Sequence, residues 1–162
     1  NGDTFTIPSI DEIEFRAIPV KGKAPPYSPH RHDPHTGDNI GIQVIDKKTN
    51  KTLFYSPGLG EPTEDTIHLM SQSDCLLVDG TFWEEGEMSK VGLGDKKAAD
   101  MGHLPQSGET GMIQLLRPMQ KPRKVLIHIN NTNPILDEDS IERKTLNDES
   151  IEVAYDGMDL KL

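Results

Sequence analysis

The chain has 162 residues, 33% of them hydrophobic, and this length fits one domain or a large part of one. Its net charge of −10 excludes nucleic acid as a partner and disfavours an anionic membrane surface, since both bind through Lys and Arg. The sequence contains no run of about 18 apolar residues, so it predicts no membrane-spanning helix. With a single cysteine, Cys75, the chain cannot form an intrachain disulfide, which favours a reducing, cytoplasmic location. Cys75 lies in an apolar run and is expected to be a buried thiol.

The first part of the chain predicts three strands and a long loop. Residues 15–20 form the first expected strand. Residues 21–38 carry four prolines and three histidines without periodicity, which is typical of a long functional or disordered loop. Residues 39–46 and 52–56 are β-rich runs separated by a polar turn at 47–51, so they predict a hairpin.

The rest of the chain predicts strands and helices in alternation. Thr63 can cap the first of these helices, and Asp139 with Glu142 resembles a capping box. The expected elements are a helix over 63–72, a strand over 75–78, a helix over 107–119, a strand over 125–129, a helix over 139–147 and a strand over 151–155. Apolar strands between helices predict an α/β layered domain that spans residues 1–162.

Residues able to bind a metal ion stand where two apolar strands end. Asp79 follows residues 76–78, and His128 follows residues 125–127. His103 lies in the connection between these strands. Because ligands bind outside the carboxyl ends of strands in open α/β sheets, we expect Asp79 and His128 to meet in one pocket. Carboxylate and imidazole suit Zn²⁺ or Fe²⁺, whereas the alternative is a turn-capping Asp and hydrogen-bonded histidines.

Two further polar segments are candidates for binding a substrate. The loop over residues 29–35 contains His30, Arg31 and His35, which could hold a metal ion or a polar ligand, or could simply be solvated. A second segment, with Asn130, Asn131 and Asn133, could bind a carboxylate-bearing ligand or build turns before a proline.

Several runs of the sequence resemble the pyrroloquinoline quinone (PQQ) biosynthesis protein B family, PqqB, of the metallo-β-lactamase superfamily. The run Val-Leu-Ile-His-Ile-Asn-Asn-Thr-Asn-Pro, within residues 124–138, is long and chemically unusual. The other runs that carry the resemblance are residues 24–31, 76–83, 101–104 and 153–158. The resemblance covers nearly the whole chain.

This resemblance implies an αββα sandwich with a metal site at one edge of its two sheets. Asp79 matches the metal-bridging Asp, His128 matches the final His ligand, and His103 matches a Gly-His pair that serves as ligand or catalytic acid. The first metal motif of the superfamily, His-x-His-x-Asp-His, does not occur in this sequence. We therefore expect only the C-terminal portion of the fold, with residues missing upstream of Asn1. One sheet should then expose apolar surface for the other half of the protein or for a second copy.

The resemblance also implies a function in PQQ synthesis. The leading hypothesis is metal-dependent oxidation, by hydroxylation, of a tyrosine-derived precursor, with iron as the metal. The alternatives are a carrier that assists transport of PQQ or its precursor to the periplasm, and a zinc-dependent hydrolase of the same fold. The expected partner is a small quinone precursor or a short peptide, contacted by the substrate-binding candidates, which are His30, Arg31, His35, Asn130, Asn131 and Asn133.

Overall fold

The computed structural model describes residues 3–25 and 27–162. Its strands form a single seven-stranded sheet in which spatial order follows chain order. The strands are β1 (Thr4–Phe5), β2 (Ile13–Pro19), β3 (Ile40–Asp46), β4 (Thr52–Ser56), β5 (Cys75–Asp79), β6 (Arg123–Ile127) and β7 (Ile151–Val153). The helices are α1 (Glu64–Gln72), α2 (Glu87–Lys90), α3 (Ala98–Met101), α4 (Met112–Leu116), a 3₁₀ helix (Pro134–Leu136) and α5 (Ile141–Asp148). Within the described ranges, no helix is long and apolar enough to cross a membrane.

The sheet changes direction at its centre. Neighbouring strands from β1 to β4 are antiparallel, whereas β4, β5, β6 and β7 are parallel. Parallel neighbours need crossover connections, and helices supply them: α1 joins β4 to β5, α2–α4 join β5 to β6, and α5 joins β6 to β7. The carboxyl ends of the parallel strands therefore lie along one edge, where ligands bind in α/β folds.

The helices cover one face of the sheet and bury an apolar core against it. Because side chains alternate between faces, Phe54, Leu76 and Leu126 lie on this covered face. They are fully buried together with Met70 of α1, Leu116 of α4 and Leu146 of α5. The predicted α/β layering is confirmed.

The opposite face of the sheet is also apolar but far less covered. Cross-strand pairing places its side chains in two rows, Phe15–Val44–Leu53 and Ala17–Ile42–Tyr55–Leu77. We call these seven residues the open face. All are half-buried except Tyr55, which is 40% exposed. An αββα sandwich places its second sheet on such a surface, so the described residues supply one sheet and its helix layer.

Several sequence predictions are confirmed in detail. Strands β3 and β4 form the expected hairpin, whose turn includes Asn50 at φ +57°. Thr63 caps α1, because its side chain accepts a hydrogen bond from the Thr66 amide at 3.3 Å. Cys75 is fully buried in β5, and burial raises the pKa of its thiol.

Other boundaries were wrong for local reasons. The helix expected over 107–119 is only Met112–Leu116. It begins after Gly108, at φ +92°, and Gly111, and it ends one residue before Arg117 meets Pro118, which has no N–H to continue the helix. The strand expected over 125–129 ends at Ile127 because His128 has φ +56°.

The C-terminal predictions also need correction. Ser140, and not Asp139, caps α5, because its hydroxyl accepts a hydrogen bond from the Arg143 amide at 3.0 Å. The strand expected over 151–155 ends at Val153. The short elements β1, α2, α3 and the 3₁₀ helix were missed, since each has fewer than five residues and no measurable periodicity.

Candidate metal centre

Two adjacent strand ends bring Asp79 and His128 together. Asp79 is the last residue of β5, and its register partner Ile127 is the last residue of β6. The Gly80 amide then donates to the Ile127 carbonyl at 2.7 Å. A Cβ on Gly80 would lie 2.8 Å from that oxygen, so only glycine allows this approach. His128 turns through the left-handed region, at φ +56°, directly beyond the strand.

His103 reaches the same place from the connection between β5 and β6. It follows α3 through Gly102, which caps the helix at φ +91°. The Gly102 carbonyl packs against Gly60, where a Cβ would lie only 2.7 Å from the oxygen. His103 Nδ1 lies 2.8 Å from Asp79 Oδ2, and the imidazole forms a T-shaped pair with the Phe82 ring at 5.8 Å between centroids.

Asp79, His103 and His128 can offer three ligand atoms that all lie within 4.8 Å of one another. The Asp79 carboxylate is fully buried, the His103 side chain is 15% exposed, and His128 is open to solvent. One carboxylate and two imidazoles form a donor set that fits a metal ion, with access from one side. Zn²⁺ and Fe²⁺ both accept these donors, so the donor set fits either ion.

Thr81 contacts all three of these residues. Its Oγ1 lies 2.6 Å from Asp79 Oδ1, 2.8 Å from His128 Nδ1 and 3.1 Å from His103 Nδ1. Asp79 also accepts hydrogen bonds at 3.0 Å from the amides of Thr81 and Leu59. Sequence reasoning missed Thr81; the only signal for it was its place two residues beyond Asp79.

A pocket of about 350 Å³ opens beside the two histidines. His103 and His128 line it together with Lys21, Lys23 and Arg31. The two lysines form ion pairs with acidic surface residues. Arg31 donates from Nη1 to the Ala24 carbonyl at 2.6 Å, and no acidic side chain within the described ranges pairs with it. The pocket is therefore cationic and suits an anionic ligand.

The loop histidines lie apart from this pocket. The rings of His30 and His35 are tilted by 33° with their centroids 4.1 Å apart, and His35 Nε2 lies 3.3 Å from Asp33 Oδ2. His35 lines a separate pocket of about 440 Å³. Of the three loop candidates, only Arg31 lies with the metal residues; the substrate contacts of His30 and His35 stay predictions.

The asparagines connect loops and do not line the pocket. Asn133 is buried; its Nδ2 lies within 3.2 Å of three acceptors, namely the Gly80 and Thr81 carbonyls and Gln106 Oε1. Its Oδ1 accepts from the Ile135 amide. Asn130 donates from its amide N to Thr81 O at 3.1 Å and from its side chain to Thr132, while Asn131 is exposed. These contacts support turn building for Asn130 and Asn133, and the ligand contacts predicted for all three asparagines remain untested.

A half-open α/β sheet with a carboxylate–histidine cluster at the ends of its parallel strands defines a metal-binding domain of the metallo-β-lactamase type. The family model that describes a beta-lactamase superfamily domain matches residues 1–129. The chain belongs to this superfamily.

Within the superfamily, the chain is similar over its whole length to the C-terminal part of curated proteins called coenzyme PQQ synthesis protein B. The protein of Methylococcus capsulatus is 56% identical over 162 residues, which are 100% of the chain and 53% of that protein. The protein of Nitrosococcus oceani is 53% identical over 161 residues, or 99% of the chain and 52% of that protein. The chain thus spans about half the length of the curated relatives it matches.

Two solved structures place these similarities in three dimensions. The crystal structure of Zn²⁺-bound PqqB from Methylobacterium extorquens has a TM-score of 0.89 at 34% identity, covering 99% of the chain and 54% of that protein. A diphosphatase of the PhnP family has a TM-score of 0.57 at 12% identity, covering 100% of the chain and 47% of that protein. The second likeness shows the shared fold alone.

Proposed function

We propose that this chain carries part of the metal centre of a protein that acts in PQQ synthesis by oxidising a tyrosine-derived precursor. The observation that carries the proposal is the convergence of Asp79, His103 and His128 beside a cationic pocket. The similarity to coenzyme PQQ synthesis proteins supports the pathway, and the Zn²⁺-bound relative supports a metal ion.

The roles of the residues follow from their surroundings. Asp79 and His128 would hold the ion, and iron would supply the one-electron chemistry that oxidation of a phenol ring by O₂ requires. His103 is oriented through Nδ1 by Asp79, which leaves Nε2 to exchange a proton with the substrate. Leu59 and Thr81 hold the Asp79 carboxylate in place through their amides.

The pocket supplies recognition of the precursor. PQQ and its late precursors carry several carboxylates, and Arg31 offers a planar guanidinium that binds carboxylate through two parallel hydrogen bonds. Lys21 and Lys23 also line this pocket, where their ammonium groups can approach an anionic ligand. This arrangement favours a small polyanionic substrate over a neutral one.

Metal dependence tests the proposal. Oxidation of the precursor, followed by oxygen consumption, should stop when a chelator removes the metal and return with Fe²⁺. Asp79→Asn and His128→Gln should lose bound metal, measured by elemental analysis, whereas His68→Gln should retain it because His68 lies exposed on α1. Full turnover by the chelated protein would contradict the proposal, and hydrolysis restored by Zn²⁺ would favour the hydrolase.

The cationic pocket also favours a second function, a carrier for PQQ or its precursor. Recognition by Lys21, Lys23 and Arg31 does not require the ion. Isothermal titration of the chelated protein with PQQ separates the two: a carrier binds PQQ without metal and shows no turnover under any metal.

The open face supports one further part of the proposal. We propose that the remainder of a longer protein packs on these apolar side chains as the second sheet, since the curated relatives are about twice as long as the chain. Co-expression with the N-terminal half of a relative should give a stable complex. Self-association of the chain in light scattering, undisturbed by that half, would instead identify a second copy as the occupant.

A further inference from the structure

The hydroxyl of Thr81 lies at the centre of the metal site, although it is not a metal ligand of the usual kind. Thr81 is only 5% exposed, and its Oγ1 has three polar neighbours. They are Asp79 Oδ1 at 2.6 Å, His128 Nδ1 at 2.8 Å and His103 Nδ1 at 3.1 Å. A hydroxyl has one proton to donate and two lone pairs that accept, so these three contacts use its full capacity.

The direction of each hydrogen bond follows from counting protons. An ionised carboxylate only accepts, so the contact between Thr81 and Asp79 requires the hydroxyl proton. Oγ1 then has no proton left and must accept from both imidazoles. His128 therefore carries its proton on Nδ1. His103 does the same, because its Nδ1 also lies 2.8 Å from Asp79 Oδ2, a second acceptor.

We propose that Thr81 is a positioning residue that fixes both histidines in the Nδ1–H tautomer. In a neutral imidazole the other nitrogen is then unprotonated, which leaves Nε2 of His128 free for the metal ion. Nε2 of His103 is likewise free for the ion or for a substrate proton. The inference rests on the proposed metal centre for its purpose, but the tautomers can be observed without any ion.

The backbone of Thr81 is held independently of its hydroxyl. Its amide donates to Asp79 Oδ1 at 3.0 Å. Its carbonyl accepts from the Asn130 amide at 3.1 Å and from Asn133 Nδ2 at 3.2 Å. Replacing the hydroxyl by a methyl group should therefore leave this loop in place, so that Thr81→Val tests the hydrogen bonds and Thr81→Ser retains them.

The first test is the tautomer of each histidine in the metal-free protein. Long-range ¹H–¹⁵N spectra under mildly alkaline conditions distinguish Nδ1–H from Nε2–H. We expect Nδ1–H for His103 and His128 in the wild type and in Thr81→Ser, and loss of that preference at His128 in Thr81→Val. A wild-type spectrum with Nε2–H at His128 would overturn the inference, even if Thr81→Val fails to fold.

The second test is the affinity for Zn²⁺, measured by competition with a chromophoric chelator. Thr81→Val should weaken binding by about 10–100-fold, the usual effect of losing a hydrogen bond that orients a metal ligand. Thr81→Ser should bind like the wild type, as should Thr66→Val, which changes another buried threonine away from the site. Equal affinities for the Val and Ser variants at position 81 would refute the role of the hydroxyl. A protein with the expected tautomers but no affinity for metal would refute the proposed function instead.

Discussion

Arg31 provides the sharpest test of substrate recognition in the cationic pocket. Its guanidinium lies beside His103 and His128 in that pocket and spends one N–H on the Ala24 carbonyl, which leaves four donors for a ligand. We therefore expect Arg31→Ala to weaken the binding of PQQ. Metal content should be unchanged, because within the described residues Arg31 forms no hydrogen bond or ion pair with Asp79.

The expected magnitude follows from the kind of hydrogen bond that is lost. A hydrogen bond to a charged group contributes about 1.5–3 kcal/mol, which corresponds to roughly a 10- to 150-fold increase in Kd. Arg31→Lys should fall between the wild type and Arg31→Ala, because lysine keeps the charge but not the planar fork. His32→Ala is a matched control from the same loop, since His32 does not line the pocket.

Isothermal titration with PQQ, combined with elemental analysis for metal, measures both quantities on the same samples. Thermal unfolding of each variant shows whether loss of the bond to Ala24 loosens the fold. Unchanged PQQ affinity in Arg31→Ala would refute the role of this arginine. Loss of metal from Arg31→Ala with PQQ affinity intact would show that the loop supports the metal site instead.

Three further predictions concern the framework of the fold. Gly80→Ala should destabilise the protein by about 1–3 kcal/mol in urea unfolding, because the new Cβ meets main-chain oxygen at 2.8 Å; Gly58→Ala, with open space around it, should be close to neutral. Asn133→Ala should cost about 2–3 kcal/mol by the same assay and leave PQQ affinity intact, and a loss of affinity would show that Asn133 contacts the ligand. Hydrogen bonds from Arg117 hold the pKa of Glu149 below its ordinary value, so the stability this pair contributes is present above that value and lost as the pH falls through the lowered pKa. Glu149→Gln should therefore make the unfolding free energy less dependent on pH between about 6 and 3, and an unchanged dependence would contradict this.

Much of the fold was accessible from the sequence because its central strands are continuous apolar runs. Residues 75–78 form a short, continuous apolar run between a predicted helix and a polar residue, and this pattern predicts a buried strand. Residues 125–127 show the same apolar run followed by a polar residue. The short elements were not accessible. Their ends depend on single backbone conformations, such as the positive φ of Gly102 at the end of α3, which leave no periodic pattern in the sequence.

The same distinction explains the site. Asp79 and His128 could be placed together because both follow parallel strands, and strand ends share an edge. His103 could not be placed by pattern alone, since it comes from a loop whose path is set by distant contacts such as that of Gly102 with Gly60. Thr81 was missed because a single threonine in a sequence does not indicate a site. Its role follows only from the fold, which brings Asp79, His103 and His128 around its hydroxyl.

The pairing of β5 with β6 would link binding of a metal ion to folding. Asp79 opposes Ile127 across these strands, and a slip of one residue would move the Asp79 side chain to the face that holds Leu76 and Val78. A misaligned sheet would therefore have no site for the ion. Metal present at about 100 times its Kd would favour the native alignment by about 2.7 kcal/mol. Metal binding would thus select the native register of these two strands, independently of any role of the ion in chemistry.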